Sequence, residues 1–458
     1  MGCGRVAREG RRRGGRRRRA HRPDATRRRP RSRRIEASTS SVGAHACDRG
    51  ALPGVVPERP LADLILRDAR VVTQEPRSGV IERGWIAARA GRIVGLGTGE
   101  PRVRGSARAV ERRVRGRVVI PGLVDPHTHL LYAGRRYEEF VERRAGTPYL
   151  EILKRGGGIH RTVAQTRAAS DAALARLLRE RIARAAAQGT TTLEIKSGYG
   201  LAVEEELRQL RIIDRVRAEA PIDIVTTYLA LHALPVGADR AAFVAAAGRA
   251  VATVAREKLA ERVDAFVDEA VFSVSDAGVV FRAARRAGLA VVLHADQFND
   301  TGGAALAARS HALSADHLAA ASDRGLAAMA GAGTVAVLLP GSALIVGYTP
   351  PDATRFRKAG VRMALATDQN PGTSPLEGMP TAIALGVNLC GMRPDEALTA
   401  ATRNAAAALG RERVSGSLRI GKRADLVVLD TDDERDLAYR VGARLIREVY
   451  AAGRRVAG

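Results

Sequence analysis

The chain has 458 residues, 45% of them hydrophobic, which suits a globular protein with a large core or one large domain beside a small one. No run of about 18 apolar residues occurs, so the sequence excludes a transmembrane helix. The net charge of +26 is unevenly placed: residues 1–34 hold 16 Arg against Glu9 and Asp24, a local excess of +14, so the total says little about the rest.

The head has no apolar periodicity, and we expect residues 1–60 to be a disordered Arg-rich extension. A secretory hydrophobic region is missing from it. It fits a nucleic-acid or anionic-surface arm, or an upstream extension outside the functional protein, as a start codon chosen too early would produce. No aromatics interleave these arginines, so base stacking is disfavoured and the extension is preferred. Cys3, Cys47 and Cys390 are far apart with no Cys-x-x-Cys, which excludes a Cys-rich zinc site and fits a reducing cytoplasm; Cys390 reads as a small core residue.

From Leu61 the pattern changes. "LADLILRDARVVT" and "GWIAARAGRIVGLG" read as short strands with a tight turn at Ala90-Gly91, and a third strand fits Ala109–Val114. The far end looks alike: "GSLRIGKRADLVVLD" and "REVYAAGRRV" both read as strand, turn, strand. These segments predict one small β-sandwich built from both chain ends, residues 61–119 and 411–458.

Residues 120–410 alternate. Apolar strand candidates fall at 118–127, 190–196, 224–231, 264–270, 289–294, 312–317, 333–339 and 362–367. Ala- and Arg-rich helical stretches such as "DAALARLLRERIARAAAQG" and "SDAGVVFRAARRAG" separate most of them, and both end in Gly, a helix stop signal. Eight β/α units over this length predict an α/β fold, a (β/α)8 barrel. A doubly wound sheet is the alternative, but no G-x-G-x-x-G follows any strand.

Such a barrel carries its chemistry at the C-terminal strand ends. Read in order, those ends offer His127 and His129, then Lys196 to Tyr199, His232, Asp268 and Glu269, His294 and Gln297, His317, and finally Asp368 and Asn370. The seventh, "TVAVLLPGS", ends without a strong polar group. Of nine histidines, two lie in the head and five of the other seven fall at predicted strand ends, which packing does not explain. His160 is expected on a loop over the site, His311 in a structural role, and Gly156–Gly158 in a flexible loop. Residues i and i+2 of a strand point the same way, so His127 and His129 aim at one point. Two imidazoles with a third histidine and a carboxylate suit Zn2+ or Fe2+ with a bound water, whose pKa falls towards about 7.

"PGLVDPHTH" resembles the first-strand metal motif of the amidohydrolases, and "GSLRIGKRADLVVLD" their returning β-domain segment. "HTHLLYAGRR", "GGGIHRT", "EIKSGYGL", "LHADQ", "SADHL" and "ATDQNPGTSP", in that order, are similar to the imidazolonepropionase family over about residues 61–458. The resemblance implies that His127, His129, His294 and Asp368 are metal ligands for one divalent ion, Zn2+ or Fe. It implies that Arg136 grips a substrate carboxylate, that Tyr199, His232 and Gln297 contact the substrate, and that His317 stands beside the metal-bound water. Asn370, Gly372 and Thr373 match a loop that holds substrate or product. His317, Asp368 and Gln297 are then the catalytic set. Gln297 is an amide, so it orients the ring and cannot take a proton. Strand four, "DAFVDEAVF", has no lysine to bridge two metals, and Lys196 reads as a supporting charge. Asp268 and Glu269 read equally as supporting or catalytic residues.

The implied activity is hydrolysis of 4-imidazolone-5-propanoate to N-formimidoyl-L-glutamate. The implied protein is a cytoplasmic homodimer acting on a small molecule, with no membrane and no nucleic-acid partner despite the Arg-rich head. The alternative is another mononuclear amidohydrolase, one acting on a nucleobase or other cyclic amide. Arg136 and the "SGYGL" and "NPGTS" loops argue against it, because they suit an anionic side chain.

Overall fold

The computed structural model describes residues 59–458, apart from 148–150, 153–154, 156 and 270. The Arg-rich head therefore lies outside the described residues, as do Gly156 and the end of the predicted 264–270 strand. Among the described residues, no helix is long and apolar enough to cross a membrane.

The first sheet draws on both ends of the chain. Its strands are β1 (Leu61–Val72), β2 (Val80–Arg89), β3 (Arg92–Thr98), β4 (Arg104–Arg113) and β5 (Val118–Pro121). Strand β1 pairs antiparallel with β2; its first half pairs parallel with β4 and its end with β5. Side chains alternate along β1 from Leu64, after an irregularity between Ala62 and Leu64 shifts the register. Leu64 and Leu66 join Ile86, Val119 and Val428 on one face, while Ala62 and Ile65 join Trp85 and Val103 on the other. Ala90 and Gly91 carry φ of 46° and 78°, the left-handed pair that a two-residue hairpin turn requires.

The barrel strands are β6 (Leu123–Asp125), β7 (Thr190–Lys196), β8 (Asp223–Leu231), β9 (Arg262–Val267), β10 (Ala290–Ala295), β11 (Ser314–His317), β12 (Val335–Leu338) and β13 (Met363–Leu365). They pair in sequence order, all parallel. Their residues are almost all buried, as helices on the outer face of a parallel barrel require. Local signals start the helices between them. Ser170 accepts from the Ala173 amide at the start of Asp171–Ala187, and Ser273 with Asp276 forms a capping box ahead of Val274–Arg286.

All eight predicted barrel strands are present, with one correction. The stretch 118–127 is two strands, because Gly122 breaks it: β5 pairs within the first sheet and β6 opens the barrel. A Cβ on Gly122 would stand 2.0 Å from Thr191 Oγ1, so only glycine lets the chain pass this close to β7. The C-terminal segment differs as well. Strand β14 (Leu426–Leu429) is regular, but residues 416–422 follow the sheet only through scattered bonds, Leu418 N–H to Thr73 O, Gly421 N–H to Ile93 O and Ile93 N–H to Lys422 O. Strands β15 (Ile446–Ala451) and β16 (Arg454–Ala457) complete the first sheet, joined by the expected turn. The fold is a (β/α)8 barrel with a small β-sandwich from the two chain ends.

The barrel closes where β6 meets the segment after β13. Asp125 accepts from the Thr367 amide at 3.1 Å and from its hydroxyl at 2.6 Å. Asp368 N–H then donates to His127 O, and His129 N–H to Gln369 O. Closure therefore lays residues 127–129 directly beside 367–369. Burial pushes the Asp125 carboxyl up to about 7, against the opposing bonds from Thr367.

Candidate metal-dependent active site

His127 and His129 follow β6 in extended backbone and face the same side. Their Nε2 atoms are 3.2 Å apart, and His294 Nε2, from the end of β10, lies 3.3 Å from that of His129. Asp368 Oδ1 stands 3.5 Å from the Nε2 of both His127 and His129. A tetrahedron with ligand distances of about 2.0–2.1 Å has edges of about 3.3–3.4 Å, and these four separations lie close to that edge length. His127 Nδ1 lies 2.6 Å from Asp316 Oδ2, and an Nδ1–H donated to this carboxylate leaves the Nε2 lone pair for a metal. Where the facing Nε2 atoms all present lone pairs, they repel unless a cation lies between them. Among the described residues, two groups could hold a metal, His127–His129–Asp368 and His127–His294–His317, and they share His127.

Electrostatics agree with this geometry. Burial, with Lys196 and the neighbouring imidazoles, pushes His127 well below its ordinary pKa; burial, with His232 and His294, does the same to His129. Both are therefore neutral, the form that ligates a metal. Burial pushes the Asp368 carboxyl well up, a penalty that a divalent cation reverses. His317 is also held neutral, by burial and His294. It directly follows Asp316, and a regular strand would turn it away from the mouth. Its φ of 75° re-aims the ring, placing the centroid 5.4 Å from His294 and 5.7 Å from His127. Asp368, at φ 53°, is turned in the same way.

The remaining expected residues surround this centre. The His232 ring stacks on His129 at 5.1 Å, with Nδ1 2.8 Å from Gly198 O, and burial lowers its pKa to about 3. The Tyr199 ring lies 6.0 Å from His129. Gln297 Nε2 donates to Ser342 Oγ and Tyr348 Oη, both at 3.4 Å. Arg136 is buried, its Nε donating to Glu139 Oε2 at 2.7 Å, while its Nη2 has no hydrogen-bond partner among the described residues. Gly372 lies against that guanidinium, since a Cβ there would stand 1.9 Å from Nη1. Asn370 Oδ1 accepts from the Gly372 and Thr373 amides at 2.9 and 2.7 Å, and its Nδ2 donates to Asp368 O. The Asn370 amide thus shapes the 370–374 loop around Gly372.

Other expectations change. His160 is the second residue of the helix Ile159–Ala168, half-buried, and not on a loop. His311 and Glu269 are exposed. Asp268 accepts from the Glu269 and Phe298 amides and from Asn299 Nδ2, so it ties its own loop to the one after β10. The seventh strand does contribute to the site, through buried Ser342 and through Tyr348. Glu194, Asp264 and Asp316 were not singled out from sequence, yet all are buried beside the centre. Their signal was a charge inside a predominantly buried strand, in "TTTLEIK", "RVDAFV" and "SADH", where an unpaired carboxylate would be costly.

The model of the Amidohydrolase family matches residues 118–456. The imidazolonepropionase of Methylobacterium sp. (strain 4-46) is 45% identical over 402 residues, covering 86% of this chain and 100% of the relative. That of Symbiobacterium thermophilum is 43% identical, covering 86% and 97%. The chain belongs to the imidazolonepropionase family of amidohydrolases. Relatives within this family extend to Geobacillus kaustophilus, at 41% identity over 86% of this chain and 96% of the relative. Solved structures share the fold. An adenosine deaminase from Xanthomonas campestris with bound zinc matches at a TM-score of 0.66 and 21% identity, covering 86% of this chain and 93% of that one. A 5-methylcytosine deaminase from Klebsiella pneumoniae matches at 0.66 and 17%, covering 85% and 96%. This family member is an enzyme acting on a small molecule.

Proposed function

We propose that His127, His129, His294 and Asp368 hold one divalent metal ion, Zn2+ or Fe2+. The site then opens the ring amide C–N bond of 4-imidazolone-5-propanoate with water, giving N-formimidoyl-L-glutamate, the third step of histidine degradation. The observation that carries the metal reading is that the His129 Nε2 lies 3.2–3.5 Å from the His127 and His294 Nε2 atoms and from Asp368 Oδ1, with Asp368 Oδ1 also 3.5 Å from His127 Nε2. Such an ion supplies Lewis acidity to the ring carbonyl and to water.

The chain's own groups do the rest. The Arg136 fork, anchored by Glu139 and with Nη2 unsatisfied, takes the propanoate. Gly372 keeps room beside it. Tyr199 and His232 line the ring's other side, next to His129. The Gln297 Nε2 bonds to Ser342 and Tyr348 leave Oε1 to accept a ring N–H. His317, neutral and with Nδ1 unpartnered among the described residues, and Asp368 orient the attacking water. They receive its proton and return it to the ring nitrogen as the C–N bond breaks.

Turnover of freshly generated 4-imidazolone-5-propanoate, measured beside a nucleobase panel and with metal analysis, tests this reading. Turnover of the imidazolone alone is expected; turnover of a nucleobase instead would replace it. Arg136→Lys keeps the charge and loses the fork, so KM should rise about tenfold with metal content unchanged. A parental KM would remove Arg136 from the substrate.

A further inference from the structure

One cation lies behind the proposed metal ligands. Lys196, the last residue of β7, is fully buried, with Nζ 2.7 Å from Glu194 Oε1, 2.8 Å from Asp264 Oδ2 and 3.9 Å from Asp316 Oδ2. Each of these carboxylates reaches a ligand-bearing segment. Asp264 Oδ2 lies 3.0 Å from His294 Nδ1, and its Oδ1 accepts from the His294 amide at 3.2 Å. Asp316 Oδ2 lies 2.6 Å from His127 Nδ1. Glu194 Oε2 accepts from the amide of Thr128, the residue between His127 and His129, at 3.0 Å. Asp264 has Lys196 on one side and His294 on the other, so the ammonium and the imidazole both stand within ion-pair distance of one carboxylate oxygen.

We propose that Lys196 is a positioning residue for the metal site, acting through Asp264 to aim His294 Nε2 at the ion. The physical reason is that a carboxylate deep in a barrel keeps its charge and orientation only with a fixed counter-charge. Without the ammonium, Asp264 and Glu194 repel each other across a buried gap. Asp264 then no longer fixes the His294 ring, and an imidazole free to rotate is a weaker ligand. The inference rests on the reading of His127, His129, His294 and Asp368 as metal ligands.

The test is Zn2+ affinity of the full chain, measured by competition with a chromophoric chelator, together with the melting temperature of the metal-free protein. The parent comes first: uptake of about one Zn2+ per chain is expected, and no uptake overturns the metal reading and this inference with it. Lys196→Met and Asp264→Asn should each weaken Zn2+ binding about 10–100-fold. The double variant should bind no more weakly than the weaker single, because both changes break one chain of contacts. Parental affinity in K196M, or a double variant whose loss is the product of the two singles, overturns the proposal while the metal reading stands. A merely structural lysine would lower the melting temperature and leave affinity unmoved, which also overturns it. If K196M fails to fold, D264N, nearly isosteric, carries the test alone, and parental affinity there overturns the proposal.

Discussion

Gly372→Ala isolates the substrate's carboxylate contact from the metal chemistry. The φ of Gly372 lies outside the left-handed region, so the backbone accepts alanine. What stands in the way is Arg136. The new Cβ would lie 1.9 Å from Nη1, 2.6 Å from Cζ and 3.2 Å from Nη2. Carbon contacts relax near 3.5 Å, so the guanidinium must retreat by about 1.5 Å. Glu139 holds Nε at 2.7 Å, so the group cannot move as a whole and its fork turns away. A hydrogen bond to a charged group contributes roughly 1.5–3 kcal/mol, and losing one should raise KM about tenfold to a hundredfold. Metal content should stay parental, because Asn370 Nδ2 still donates to Asp368 O and Oδ1 still gathers the loop amides. Steady-state kinetics on freshly generated substrate, with metal analysis of the same sample, read both. A parental KM in a folded, metal-loaded G372A protein would refute the placement of the substrate acid against Arg136.

The other predictions concern the centre itself. His294→Ala should reduce metal affinity by more than the about 10–100-fold typical of losing a ligand's outer partner; stoichiometric metal in that variant, by elemental analysis, would contradict its assignment. Gln297→Glu should keep kcat/KM within a few-fold, since a carboxylate accepts the same ring N–H and can accept from the Ser342 and Tyr348 hydroxyls. Gln297→Ala should lose about 1–3 kcal/mol of transition-state binding, and His317→Ala more, both read as kcat/KM with metal content checked. If Q297A matches the parent while H317A stays active, both roles are wrong.

The sequence by itself determined what local chemistry can express. Buried strands read as apolar runs, so 190–196 was legible to the residue and the other barrel strands to within a few, except the first, where 118–127 is two strands. A strand's two-residue period made His127 and His129 point together before any fold was known. The tight turn at Ala90-Gly91 is likewise a local property.

Other features depend on residues far apart in the chain, and only the tertiary structure decided them. The Gly122 break follows from the closeness of Thr191, on the neighbouring strand. Asp368 joins the two histidines because Asp125 bonds Thr367 and closes the barrel, a contact spanning 242 residues. His317 and Asp368 reach the mouth through positive φ, which no periodicity announces. Glu194, Asp264 and Asp316 look like isolated charges in their own strands; they become a set because Lys196 stands within reach of all three. A buried charge shows in the sequence as a need for a partner, but which partner meets it is settled across the barrel, where parallel strands bring distant residues side by side.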